Sequence, residues 1–194
     1  MTRYRTIVAD PPWAYPEGFV NLGDRPHKQD RDRGMRGNTF VRTQLPYPSL
    51  SISEIEALPV SELADEDARL FLWATNRYLP QALGVATSWG FTYKQMLVWD
   101  KTPCFPVLGG SVAPNAAEYL IVAVRGKPAR MGRWGTSIIR ARKPRSEHSR
   151  KPDVFLDLVE QVAPGPYLEL FARRQRLGWD VWGDEVESSI EMAS

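Results

Sequence analysis

The four residues Asp10-Pro-Pro-Trp13 are the part of this sequence whose types and spacing most directly suggest chemistry. Asp10 is an ionised hydrogen-bond acceptor at neutral pH. Two consecutive prolines fix the backbone and remove two N–H donors, which leaves carbonyls free to accept. Trp13 offers a flat face for stacking. Together they describe a site for a planar ring bearing an amino group. The motif directly follows the apolar run Thr6-Ile-Val-Ala9. A buried strand ending there puts the motif at the carboxyl edge of a sheet, where open α/β folds bind ligands.

The elements that must carry this edge can be read from the apolar pattern. Arg69 to Ala74, Tyr93 to Trp99, Glu118 to Val124 and Tyr167 to Phe171 are near-continuous apolar runs, as suits strands covered on both faces. A short strand over Ser137-Ile-Ile139 is also expected. Ser51 and Glu54 form a capping box for a short helix that stops before Pro59. A second helix runs from Asn76, as cap, to Trp89, with Leu79, Ala82, Leu83, Ala86 and Trp89 on one face and Gly90 as its stop. Pro152 and Asp153 open a third, with Val154, Phe155, Leu158, Val159 and Val162 on its core face. Strands alternating with helices predict a three-layer α/β domain with a mostly parallel sheet.

The 194 residues predict one domain, without a repeat or an internal boundary. One cysteine, Cys104, excludes an internal disulfide and a cysteine-rich zinc site, and two histidines give no expectation of a metal. The apolar stretches are too short to span a membrane, and the first residues lack an apolar signal core, so the expectation is a cytoplasmic enzyme. Charge is strongly segregated. Residues 125 to 151 hold ten Lys/Arg against Glu147 alone, a charge of +9, leaving −7 for the rest of a chain whose net charge is +2. Such a block is either a solvated face or a phosphate-binding stripe. Residues 16–46 and 127–150 have little apolar periodicity and are expected to be mobile loops, the first a gate over the site.

Asp10-Pro-Pro-Trp13 resembles the catalytic motif of the MT-A70 family, the N6-adenine methyltransferases that include the catalytic subunit of the messenger-RNA adenosine methyltransferase. The resemblance continues in order through Leu45-Pro-Tyr-Pro-Ser-Leu-Ser51, Leu70 to Asn76, Trp89-Gly-Phe91 and Val98-Trp-Asp-Lys101. Further blocks are Glu118 to Gly126, Ser149-Arg-Lys-Pro152, Leu168 to Arg173 and Gly178 to Gly183. It covers nearly everything except the loop from Pro16 to Gln44. Around Glu118 many members carry a basic residue and a histidine, where this chain reads Pro114-Asn-Ala-Ala117.

The resemblance implies a Rossmann-like fold dependent on S-adenosylmethionine (SAM), with a permuted order in which the catalytic strand comes first and the SAM strand late. It implies that Asp10, Pro11, Pro12 and Trp13 act on the adenine amine, with Tyr47 as a second platform and Glu118 reading a base edge. Asp10 also borders the cofactor. Phe171 would pack near SAM, Arg173 and Gln175 would reach its ribose, Asp184 and Glu185 would approach ribose and adenine, and Lys151 would take the carboxylate of the methionine part. Arg140, Arg142, Lys143 and Arg145 of the basic window would then track phosphates. The expected partner is DNA rather than RNA, and a homodimer or a partner subunit is compatible with the sequence. The alternatives are the same reaction on RNA and a non-catalytic nucleic-acid-binding partner subunit.

Overall fold

The structure, a computed structural model, describes residues 2–14, 49–101, 115–129, 132, 134–142, 144 and 150–192. The expected gate at 16–46 and the residues Tyr47, Lys143 and Arg145 lie outside this set. Its elements, in chain order, are β1 (Tyr4–Ala9), α1 (Ile52–Ala57), α2 (Val60–Leu63), β2 (Ala64–Ala74), a 3-10 turn (Asn76–Tyr78), α3 (Leu79–Ser88), β3 (Thr92–Asp100), β4 (Ala117–Arg125), β5 (Ile138–Arg140), α4 (Val154–Val162), β6 (Tyr167–Leu170) and β7 (Trp179–Trp182).

The strands form one seven-stranded sheet in the order β5-β3-β4-β2-β1-β6-β7. Four junctions are parallel, β1–β2, β1–β6, β3–β5 and β6–β7. The two junctions of β4, with β2 and β3, are antiparallel, so β4 alone runs against the other strands. Side chains alternate across the sheet. Ile7, Leu70, Leu72 and Leu168 pack with α1 to α3 on one face. Val8, Phe71, Trp73, Leu120 and Val181 pack with Phe155, Val159 and Val162 of α4 on the other. The α/β expectation therefore holds, with one strand reversed.

Local signals explain most boundaries. The capping box closes α1, with Glu54 N donating to Ser51 Oγ at 3.2 Å and Ser51 N donating to Glu54 Oε2 at 2.7 Å. Gly90, at φ +83°, ends the α3 segment. Other expectations are corrected. Asn76 does not cap α3; it lies in the 3-10 turn, whose N-cap is Thr75 without a side-chain bond. That turn advances each residue further around the axis than an α-helix does. Within α3 the buried residues are Ala82, Val85 and Ala86, with Trp89 buried just beyond it, and Leu83 of the expected face is exposed. Val154 is also exposed, because Phe155, Val159 and Val162 already define the apolar stripe of α4. α2 and β7 had no separate expectation, and β2 starts earlier than its apolar run, at Ala64.

The ends of β6 and β7 approach closely. Ala172 N donates to the Trp182 carbonyl at 2.9 Å. A Cβ on Gly183 would lie 2.2 Å from the Ala172 carbonyl oxygen. Residue 183 must therefore be glycine for this pairing to continue past the strands. Gly183→Ala is expected to cost about 1–3 kcal/mol of stability, read as a lower urea midpoint with an unchanged slope.

Candidate active site

Parallel strands bring their C-terminal ends to one edge, and β1, β6 and β7 place Asp10, Phe171 to Arg173, and Gly183 to Glu185 there side by side. Glu118 arrives differently. It is the second residue of β4, and because β4 is reversed its N-terminal end lies at this same edge, with Glu118 opposite Trp99 of β3. A cavity opens there between the sheet and α4, with Asp10, Lys151, Phe171 and Arg173 at its polar side and Trp73 and Phe155 among its apolar walls.

Its charges are paired. Lys151 Nζ donates to both oxygens of Asp10, at 2.7 and 2.6 Å, and lies 3.3 Å from Glu118 Oε2. Glu118 accepts from Lys101 through its other oxygen. The Lys151 and Glu118 side chains are each 14% exposed, and Asp10 is 26% exposed. Burial opposes the Lys151 ammonium, but Asp10 and then Glu118 outweigh it and hold its pKa above the usual lysine range. Burial also works against the Glu118 carboxylate, and Lys151 with Lys101 reverses that and holds its pKa below the usual value. Each ammonium rests on an indole: Lys151 Nζ is 5.3 Å from the Trp73 centroid and Lys101 Nζ is 5.0 Å from that of Trp99. Phe155 of α4 packs edge-on against both rings, at 4.8 and 6.1 Å, so the helix, the sheet and the ion network share one support.

The motif at Asp10 is tightly braced. Trp13 N donates to the Pro11 carbonyl at 2.9 Å, and Leu50 N donates to the Pro12 carbonyl at 3.0 Å. The sequence led to the expectation that these carbonyls are free; each instead accepts one backbone bond and keeps a second lone pair. Trp13 is only 5% exposed. It stacks on Tyr78 at 5.3 Å, and its Nε1 donates to the Trp73 carbonyl at 3.3 Å. Its ring is committed to protein packing. It anchors the turn, and the open face inferred from its residue type is taken by Tyr78, whose hydroxyl in turn donates to the Ala14 carbonyl.

The other expected residues divide into those near the cavity and those apart from it. Phe171 adopts φ +61°, the left-handed region that a bulky side chain rarely enters, and packs edge-on against Trp182 at 5.4 Å. Arg173 Nε lies 3.6 Å from Glu185 Oε1, which links the ends of β6 and β7. Gln175 Nε2 donates to the Glu187 carbonyl at 2.6 Å, and Asp184 and Glu185 are exposed. Arg140 ends β5, 73% exposed, and donates through Nε to Asp100 Oδ2 at 2.8 Å, and Arg142 follows it. Neither Arg140 nor Arg142 lines the cavity.

Sequence reasoning passed over two groups. Lys101 lies within a family-like block, but nothing in its spacing links it to Glu118, which is brought opposite by the β3–β4 register. Glu169 of β6 lines the cavity and makes no hydrogen bond or ion pair among the described residues. Burial, then the charge of Asp10, pushes its carboxyl up to about 7. A carboxyl whose folded pKa lies above its unfolded value of about 4.3 costs stability when ionised, so that cost grows as pH rises and levels off above pH 7. Glu169→Gln should raise stability at pH 8 by about 1–3 kcal/mol and give little gain at pH 5. Urea titrations of both proteins at the two pH values measure the difference.

The sequence profile of the MT-A70 family matches residues 4–185, from β1 through Glu185. The chain is 31% identical over 195 residues to the type II methyltransferase M.MunI of Mycoplasma sp, covering 98% of this chain and 81% of that protein. It is 24% identical over 193 residues to the N(6)-adenosine-methyltransferase MT-A70-like protein of Drosophila melanogaster, covering 95% of this chain and 27% of that one. It is also 24% identical over 193 residues to the N(6)-adenosine-methyltransferase catalytic subunit METTL3 of Homo sapiens, covering 95% and 28%. The chain thus spans about a quarter of the length of these two relatives. With the profile running from the strand before Asp10 to the acidic pair after β7, the chain belongs to the MT-A70 family of methyltransferases.

Proposed function

We propose that this protein transfers a methyl group from SAM to the N6 amine of adenine in DNA. The observation that carries the reading is the placement of Asp10 beside Lys151, Phe171 and Arg173 around one cavity at the carboxyl edge. These residues suit the cofactor. Lys151 and Arg173 are cations for a carboxylate and for ribose oxygens, and the left-handed backbone at Phe171 lets the chain turn closely around a ligand. Gln175, Asp184 and Glu185 do not line the cavity, and we assign them to ribose and adenine on the family resemblance alone. SAM supplies an electrophilic methyl on a sulfonium when bound.

The protein's own task is to position and polarise the amine. The lone pair of that amine is delocalised into the ring, so it is a poor nucleophile. Asp10 accepts a hydrogen bond from one amine proton, and the remaining lone pair of the Pro11 carbonyl accepts from the other. Both acceptors favour a tetrahedral nitrogen whose lone pair points outward. Lys151 must first yield at least one Asp10 oxygen, which the arrival of a competing carboxylate favours. The gain comes from positioning and from electrostatics tuned to the transition state. Pro12 and Trp13 hold Asp10 and Pro11 in place through the Leu50 and Trp73 bonds. In a duplex the base is flipped out before it reaches them.

One comparison favours DNA, and a basic edge suits the phosphates of a nucleic acid. The chain is 31% identical to the type II methyltransferase and 24% identical to the two N(6)-adenosine-methyltransferases. Arg140 ends the edge strand β5 beside β3 and Arg142 follows two residues later, where they can hold phosphates without regard to sequence.

Asp10→Ala should lower turnover by about 100–1,000-fold, while Lys151→Ala and Arg173→Ala should each weaken SAM binding. Turnover of Asp10→Ala within a few-fold of wild type, or calorimetric SAM affinities unchanged in both cation variants, would remove the site from this account. If the basic window neutralises about five phosphates, log affinity for duplex DNA should fall with log salt at a slope of about −4.5. Replacing Arg140, Arg142, Lys143 and Arg145 with Ala should flatten that slope and leave SAM affinity unchanged. Matched oligonucleotides differing only in sugar, incubated with labelled SAM, decide the polymer, and faster methylation of RNA would reverse the choice.

A further inference from the structure

Lys101 ends the site's ion network without touching Asp10. Its backbone is fixed by the ladder, since Lys101 N donates to the Ala116 carbonyl at 2.9 Å, one step beyond the Asp100–Ala117 pair. Its side chain is 13% exposed, bonded to Glu118 Oε1 and laid over Trp99. Glu118 thus bridges two ammoniums, one on each oxygen. The groups facing Glu118 are Lys101 from the end of β3, Lys151 from the segment before α4 and, behind Lys151, Asp10 from β1. The neighbouring Asp100 is engaged by Arg140, and the facing part of β2 presents Trp73 and Ala74. Among the direct contacts of the described residues, Lys101 and Lys151 match Glu118 and Asp10, and Arg173 adds a positive charge beside Asp10.

We propose that Lys101 is a positioning residue, holding the Glu118 carboxylate charged and fixed so that Lys151 can exchange Glu118 for an incoming carboxylate. The exchange rests on the SAM reading above; the hold on Glu118 does not. Without Lys101, one ammonium serves two adjacent acids. Lys151 is then retained by both, and Glu118 takes up a proton at a higher pH. Aligning an ammonium on an indole face gives Lys101 a fixed geometry that an exposed lysine would lack.

Two measurements test this on the full chain. Carbon-13 NMR of the Glu118 carboxyl, with no ligand added, should show its titration midpoint rise by about one unit in Lys101→Met and return near wild type in Lys101→Arg. The kcat/KM for SAM on an adenine-containing duplex should be lower in Lys101→Met than in wild type at pH 8, where Glu118 and Asp10 both hold Lys151. The deficit should shrink by up to about twofold at pH 5.5 as Glu118 takes up a proton, with Lys101→Arg tracking wild type. An unmoved midpoint, or a loss of activity equal at both pH values and not rescued by arginine, would overturn the proposal. The double variant guards against a merely structural effect. With Glu118→Gln present, Lys101→Met has no carboxylate to serve and should cost no additional turnover; a further loss also overturns the assignment. A shifted midpoint in a protein that methylates nothing would sink the proposed reaction and leave the hold on Glu118 standing.

Discussion

The ion pair of Lys151 with Asp10 is the contact on which the arrangement of this edge depends. Removing Lys151 takes from Asp10 the ammonium that holds both its oxygens, which is far more costly than an exposed pair is worth, whereas without Asp10 the ammonium keeps Glu118. Both residues are set by distant parts of the chain, Asp10 after β1 and Lys151 before α4. The pair therefore ties the first strand to the last helix across the open edge. Trp73 lies beneath it and is itself wedged by Phe155 and Trp99, so the charge has an aromatic floor and little water beside it. Packing and electrostatics are the same feature here.

A second constraint is the reversal of β4. In an all-parallel sheet the N-terminal end of a strand lies at the edge opposite the ligand. Pairing β4 antiparallel to both β2 and β3 carries Glu118 to the ligand side and sets it against Lys101 and Lys151. On the other flank the loop after β6 is restrained by charge. Arg174 and Arg150 share Asp153, and Arg176 reaches Asp157 and Glu160 of α4. Those pairs hold the chain that follows Phe171 against the helix, beside the position where the backbone is left-handed. The polar side of the cavity is thus assembled from both directions of the chain.

Trp13 illustrates how residue type and role part company. An indole next to an acidic motif reads as a platform for a base, yet its ring is stacked on Tyr78 and its N–H is bonded to the Trp73 carbonyl. What it supplies is stiffness. Two prolines, a turn bonded across Pro12 and a buried indole leave Asp10 little backbone freedom, and a carboxylate that is already oriented loses less entropy on engaging a ligand.

Much of this was legible in the sequence, for a physical reason. Apolar runs must be covered, so Thr6 to Ala9, Arg69 to Ala74 and Glu118 to Val124 had to be inner strands, and local caps at Ser51 and Gly90 act within a few residues. Asp10 at a strand end was likewise a local statement, and the ordered blocks from Asp10 to Gly183 carried the family. Strand direction and partner choice are not local. Nothing in Glu118-Tyr-Leu-Ile-Val-Ala-Val124 states that it runs backwards, because an antiparallel central strand buried on both faces has the same composition as a parallel one. The pairing of Lys151 with Asp10, 141 residues away, the meeting of Lys101 with Glu118 and the burial of Trp13 all follow from that topology. The sequence determined which groups the protein owns and which strand ends present them; only the tertiary structure decided which charge neutralises which.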